Sequence, residues 1–288
     1  AEAAIIFALI FAAVYAFAAK PAHAVSLAWI SPGAFSFKSF ADGAMVSVFL
    51  YWGWDVTMNL GEETEPADAS SGAFWAMINL IVFFVILMTV VLIALSDKEI
   101  AAANTNVLYA ISNKLFNSPW TYLAVLSTIL STIGTIETQI LQFSRSMFAM
   151  ARDNMLHPRY AAIHPEWQTP WVATAVIWGL GVVLLFASSY LPTVGAILQA
   201  SILAIGIQIC FYMSLAGYAC AWHYRAMLRG SFGDAVSHVV WPFVGAAFMT
   251  FIGVYSIPTF DNITLLVGLG GLTIGVLPLL AARLRQRA

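Results

Sequence analysis

Charge is what this chain has least of. Asp, Glu, Lys and Arg make up 9% of its 288 residues, where a soluble domain carries about 25%. That shortfall excludes a water-facing surface over most of the chain. With 61% hydrophobic residues and a mean hydropathy of +0.86, the sequence is built for lipid as its solvent. The net charge of −2 leaves no basic field for nucleic acid. Cysteine is nearly absent. Cys210 and Cys220 fall in one helical run, about 15 Å apart along its axis. They are too far apart to pair, so no disulfide framework holds the fold. His23, His157, His164, His223 and His238 lie in loops or at helix ends, with no HxxxH or HExxH spacing. The usual basis for a metal enzyme is therefore missing. Asp55 and Glu137 are the only candidates for paired catalytic groups at membrane depth, and no protease motif surrounds them. No enzyme activity, no metal and no cofactor is expected.

What the chain does have is long apolar runs. A bilayer core of about 30 Å needs roughly 20 apolar residues in a helix. Eight segments qualify: about 1–19, 40–60, 72–95, 120–150, 171–189, 193–222, 239–257 and 262–282. They predict an all-α integral membrane protein, with residues 1–288 forming one transmembrane domain. The first segment reads as a transmembrane helix cut at its start. A signal peptide ending at Ala22-His23-Ala24 fits less well, because a positive leader is missing and the apolar run is too long.

The connections alternate sides. Residues 61–71, 151–170, 223–238 and the tail from 283 carry Arg152, Arg159, Arg225, Arg229, Arg283, Arg285 and Arg287. The opposite set carries Lys20, Lys38, Lys98 and Lys114. By the positive-inside rule the arginine side is cytoplasmic, and an even helix count puts both termini there. Between the third and fourth segments, Ile100, Val107, Leu108, Ile111 and Leu115 recur at helical spacing. They predict a short amphipathic helix that covers the bundle or serves as an outer lid.

The second segment is interrupted by its own sequence. Tyr51-Trp52-Gly53-Trp54-Asp55 sets a glycine between two tryptophans and a carboxylate two residues on. A carboxylate near mid-membrane is unfavourable by roughly 2.5–3.5 kcal/mol on insertion scales. Glycine loosens a membrane helix, and backbone groups freed there must face protein, water or a ligand. The helix is therefore expected to break near residue 53 and form a substrate cradle, as in transporters with discontinuous helices. The aromatics would stack over the ligand or close its path. Asp55 would bind a cationic group, take up a proton or brace the break. The plainer reading keeps Trp52 and Trp54 as packing residues and Gly53 as a helix contact. Beyond the break come Glu62, Glu63 and Glu65, then Pro66. Acids are unfavourable at a helix C-terminus. Glu62 and Glu63 are expected to pair with Arg145 and Arg152 in an intracellular latch, or else to form a solvated acidic loop.

The fourth segment carries Thr128, Ser131, Thr132, Thr135, Gln139, Gln142 and Ser146 within about 100° of arc. Glu137 points to the opposite side. A helix polar on several faces is expected at the bundle centre, lining a cavity, coordinating a cation or hydrogen-bonding to neighbouring helices. In the sixth segment Gln199, Gly206, Cys210, Met213 and Gly217 share one stripe, which predicts close helix packing.

Three stretches carry a family resemblance. Tyr51 to Asp55 with Asn59-Leu60-Gly61-Glu62-Glu63-Thr64-Glu65-Pro66 resembles the sixth helix of amino acid–polyamine–organocation superfamily permeases. Ser144-Arg145-Ser146-Met147-Phe148-Ala149-Met150-Ala151-Arg152-Asp153, followed by Leu156-His157-Pro158-Arg159, Ile163-His164-Pro165 and Thr169-Pro170, resembles the end of the eighth helix and its loop. Phe211-Tyr212 and Cys220-Ala221-Trp222-His223-Tyr224-Arg225 resemble the end of the tenth. The matches come in family order and spacing. The resemblance implies part of an inverted five-plus-five repeat fold, with the eight segments as helices five to twelve. The family's other broken helix, the first, has no counterpart among them. The resemblance further implies substrate contact at Tyr51, Trp52, Gly53, Trp54 and Asp55, and a coupling site that Thr132 and Thr135 approach. Asp55 and Glu137 are the candidates for a coupling proton. The expected function is secondary active transport of an amino acid or amine by alternating access in a bacterial inner membrane, coupled to a proton or cation or working by exchange. The alternative is a truncated, non-transporting membrane remnant or scaffold.

Overall fold

The computed structural model describes residues 2–61, 64–190 and 193–287. Helices follow one another as α1 (Glu2–Phe17), α2 (Phe37–Leu50), α3 (Pro66–Ala94), α4 (Asp97–Ala103), α5 (Val107–Leu115), α6 (Leu123–Arg152), α7 (Trp171–Ser188), α8 (Val194–His223), α9 (Phe232–Ala235), α10 (Trp241–Ser256) and α11 (Asn262–Arg287). No strand occurs among the described residues. Five helical stretches are long and apolar enough to cross a bilayer: Ala67–Ala94, Trp120–Arg152, Trp171–Ser188, Ile197–His223 and Phe232–Thr259. Ala3–Phe17 and Asn262–Leu277 are shorter apolar helices. The expected span at 40–60 is split into α2 and a 3-10 segment, Trp54–Leu60. Large apolar side chains stand bare along these helices: Leu184, Leu185 and Phe186 on α7 are each more than 60% exposed. Such surface is compatible with lipid and not with water. The chain is a multi-pass membrane protein.

The helix boundaries have local causes. Ser36 caps α2, its hydroxyl accepting from the Ser39 N–H at 3.1 Å. Ser96 and Glu99 form a reciprocal capping box at α4. The single amphipathic helix expected over 97–119 is two helices, because Asn104 takes a left-handed backbone (φ 48) and ends α4. A π-helical turn, Val236–Val240, leads into α10. Pro242 follows it and has no N–H to give, so the helix widens locally.

The chain divides into two compact units. The first comprises Ala1–Ser31, Gly53–Arg152 and Pro158–Gly181. Its core joins α1 to α3 through Ile6, Ile10, Val90, Val91 and Leu95, and Ile111 of α5 is buried among them. Ile100, Val107 and Leu115 pack on the same cluster. The apolar face of α4 and α5 thus covers that helix pair. The second unit comprises Pro32–Trp52, Asp153–His157 and Val182–Ala288. There Met45 of α2 meets Ile207 and Cys210 of α8 and Ile252 of α10. The glycines of α8 permit this. A Cβ on Gly206 would lie 2.9 Å from Met45 Cε, and one on Gly217 would lie 2.9 Å from both Ala246 Cβ and Pro242 O. The small-residue stripe of α8 is a packing surface, as its composition predicted. Both cysteines are free.

Within the described residues the polar positions of the fourth segment differ in burial. Ser127, Gln142, Ser144 and Ala151 of α6 are buried, but Thr128, Thr132, Thr135 and Glu137 are exposed. Thr128 and Thr132 tolerate this because their hydroxyls bond within the helix, as that of Thr138 does. Thr128 donates to Ala124 O at 3.0 Å, Thr132 to Thr128 O at 2.8 Å and Thr138 to Gly134 O at 3.0 Å. A hydroxyl satisfied by its own helix does not need a protein neighbour.

Candidate functional site

The site is built around the interruption after α2. The last turn closes with Tyr51 N–H on Ser47 O at 2.9 Å and Trp52 N–H on Phe49 O at 3.1 Å. Gly53 then adopts φ 106, a left-handed conformation that L side chains rarely enter. Trp54–Leu60 resumes as a 3-10 helix. Its opening N–H groups have no partner within the segment, as at any helix start. The two tryptophans and the glycine read from the sequence therefore mark a genuine break in the helical backbone.

The 3-10 segment is held on two sides within the first unit. Toward α3, the Thr57 hydroxyl donates to Ala69 O at 3.2 Å, and the Thr57 side chain lies against Gly72. Toward α6, Gln142 Nε2 donates to Asp55 Oδ2 at 3.5 Å. Ser146 Oγ lies 3.1 Å from Asn59 Oδ1 and 3.0 Å from Gln142 O, sharing its proton between them. Asn59 Nδ2 in turn donates to Asp55 O at 3.3 Å. Asp55 is half-buried, and Gln142 is 7% exposed.

Asp55 Oδ1, Gln142 Oε1 and Gln139 Oε1 are shielded from solvent and accept no hydrogen bond among the described residues. A shielded polar atom without a partner is unfavourable by about 1–3 kcal/mol, more if charged. Oxygens in this state accept from any hydrogen-bond donor that reaches them, a water or an ammonium group alike. Beside them opens a cavity of about 480 Å³. Its lining starts three residues past Asp55, with Met58 and Asn59, and takes in Arg145, Ser146, Phe148 and Gln168.

The structure brings some of the expected residues together and leaves others apart. Gly53, Trp54 and Asp55 share the interrupted stretch with Tyr51 and Trp52 on its helical side. Thr135 and Thr132 lie seven and ten residues before Gln142 on α6, about 10 and 15 Å along the axis. Both are exposed, as is Glu137. None of the three joins the Asp55 cluster. Arg145 lines the cavity, and the Arg152 guanidinium lies 5.8 Å over the Phe148 ring. Glu62 and Glu63, their expected partners, lie outside the described residues. Sequence reasoning did not single out Gln142, Asn59 and Ser146 as site residues. The usable signal was the Gln139, Gln142, Ser146 end of the polar stripe, where amides sit in an otherwise apolar helix.

Helical described residues, five stretches able to cross a bilayer, and a helix that breaks at a left-handed glycine two residues before Asp55 are consistent with a membrane transporter. Comparison with known proteins gives the particular family. The chain belongs to the amino acid permease family, whose model matches residues 3–277. The resemblance drawn from residues 51–66, 144–170 and 211–225 to amino acid–polyamine–organocation permeases thus holds over nearly the whole chain. Among curated proteins, the serine/threonine exchanger SteT of Bacillus subtilis is 25% identical over 158 residues. That match takes in 52% of this chain and 35% of the exchanger. No solved structure matches the chain significantly. The family is one of transport proteins, and the chain spans about a third of the exchanger's length where the two match.

Proposed function

We propose that residues 1–288 form a transporter domain that moves an amino acid or related amine across a bacterial inner membrane by alternating access. The carrying observation is the break at Gly53 with the shielded oxygens of Asp55 and Gln142 beside it. Backbone freed at the break and the aromatic side chains of Tyr51, Trp52 and Trp54 supply substrate contact. Asp55 receives the positive partner, either a coupling proton or cation or the ammonium of the substrate. The name of the SteT exchanger makes serine and threonine, in exchange, the first substrates to test. The arginine-rich connections put both termini on the cytoplasmic side.

Uptake of labelled serine or threonine into proteoliposomes tests the assignment. Asp55→Asn keeps the shape and removes the charge. It lowers uptake at least severalfold while expression stays intact, and unchanged kinetics would take Asp55 out of the site. A latch of Glu62 and Glu63 with Arg145 and Arg152 is part of the same reading. Glu62→Arg impairs uptake, and Arg145→Glu or Arg152→Glu added to it restores part of the loss. Failure of both rescues removes the latch and leaves the Asp55 reading standing.

A further inference from the structure

The second compact unit carries a feature to which the proposed function assigns no role. An apolar groove of about 280 Å³ runs between α8, α10 and α11. Its floor is tight, since a Cβ on Gly253 would lie 3.0 Å from Cys210 Cβ. Phe211, Leu215, Val254 and Leu269 form the walls. The polar atoms in the lining are already engaged. Ser214 Oγ donates to Cys210 O at 2.6 Å, with Ala246 O at 3.2 Å, and the hydroxyls of Tyr218 and Thr250 are bonded at 3.1 Å. A polar solute gains nothing there, whereas a hydrocarbon chain fits. The groove opens sideways, with Phe211, Leu215 and Val254 at least 50% exposed.

Past Tyr218, the last α8 residue of the groove, the same helix face runs on to a charged helix end. Phe211, Leu215, Tyr218 and Trp222 recur at four, seven and eleven residues along α8 and so form one stripe. At its end the Arg225 guanidinium lies 4.5 Å over the Trp222 ring and donates to Trp222 O at 2.8 Å. Stacking and hydrogen bond together fix a positive charge where the apolar stripe stops. Arg229 follows four residues on. The single acid between residues 223 and 241, Asp234, accepts from the Ser231 hydroxyl at 2.8 Å. An apolar groove with a basic helix end seven residues beyond Tyr218 is the charge complement of an anionic amphiphile. A cleft of this volume admits an extended chain and not a helix of about 10–12 Å diameter.

We propose that this groove binds one acyl chain of an anionic glycerophospholipid, with its phosphate held by Arg225 on Trp222. The site depends on membrane placement of α8 and α10 and is independent of the substrate reading. The test uses the purified full chain in mixed micelles with dioleoyl-phosphatidylglycerol or dioleoyl-phosphatidylcholine, read by native mass spectrometry and thermal shift. Wild type retains phosphatidylglycerol over phosphatidylcholine by about fivefold, the contribution of one arginine near an anionic headgroup. Arg225→Gln abolishes the preference and leaves phosphatidylcholine retention unchanged. Val254→Trp fills the exposed groove and lowers retention of both lipids. Equal retention of the two lipids by wild type overturns the proposal, and so does a preference that survives Arg225→Gln. Full retention by Val254→Trp, or loss of a dimer in that variant with lipid retention intact, overturns the acyl-chain assignment.

Discussion

Gly53 offers the sharpest perturbation of the interrupted span. Its φ of 106 lies where L side chains rarely go, and a Cβ added there meets nothing within 4 Å. Gly53→Ala therefore adds no steric clash, and its whole effect is backbone conformational. Holding a non-glycine residue in such a region is unfavourable by about 1–3 kcal/mol. If the break competes with a continued helix, its population falls by about 5- to 150-fold. Asn tolerates left-handed backbone better than Ala, and a β-branched residue tolerates it worst. The expected order of uptake in proteoliposomes is thus Gly, Asn, Ala, Val, at matched expression. Gly43 provides the control, since it lies inside α2, also has open space and shows no positive φ. Gly43→Ala leaves uptake intact and gains up to about 1 kcal/mol in helix propensity. Wild-type uptake in Gly53→Ala, or equal loss in Gly43→Ala, would refute the argument that the left-handed break matters.

Two further predictions concern stability. Lys114, with the Ser96 cap, holds the Glu99 carboxyl down from its ordinary 4.5 to about 2, and the ammonium lies 2.8 Å from Glu99 Oε1. A depressed carboxylate stabilises the fold above its ordinary pKa and stops doing so as pH falls through the folded value. The difference in melting temperature between wild type and Lys114→Met is therefore constant above pH 4.5 and shrinks toward pH 2; a pH-independent difference would disprove the pairing. Gly217→Leu forces a side chain against Pro242 O and Ala246. It should lower stability in detergent by about 1–3 kcal/mol, and an unchanged melting curve would show that α8 and α10 do not meet there.

Much of the fold was legible because membrane helices announce themselves by length and apolarity. The break was legible too, since a Trp-Gly-Trp-Asp run is hard to place in a continuous span. The pairing of Asp55 with Gln142 was not, because it joins residues 87 positions apart and no local pattern encodes it. The split of α4 from α5 was available in Asn104-Thr105-Asn106, a turn-forming cluster, but the apolar spacing on either side ran through it. The polar stripe of α6 misled in its upper part. Spacing shows which residues share a face and does not show that a threonine hydroxyl is satisfied by the carbonyl one turn back. Glutamine has no such local acceptor habit, and Gln142 is the member of the stripe that ends up buried.

That difference bears on how α6 reaches the membrane. A nascent span leaves the insertion machinery before its neighbours are assembled, so each polar group must be tolerated by lipid alone. The hydroxyls of Thr128, Thr132 and Thr138 arrive with their acceptors already in place, so they add little to the cost of inserting α6. Gln142 cannot complete its bonding until the stretch around Asp55 comes to rest against it. Biogenesis of this span would then proceed in two stages, entry first and docking second, with the glutamine deciding where the helix finally settles.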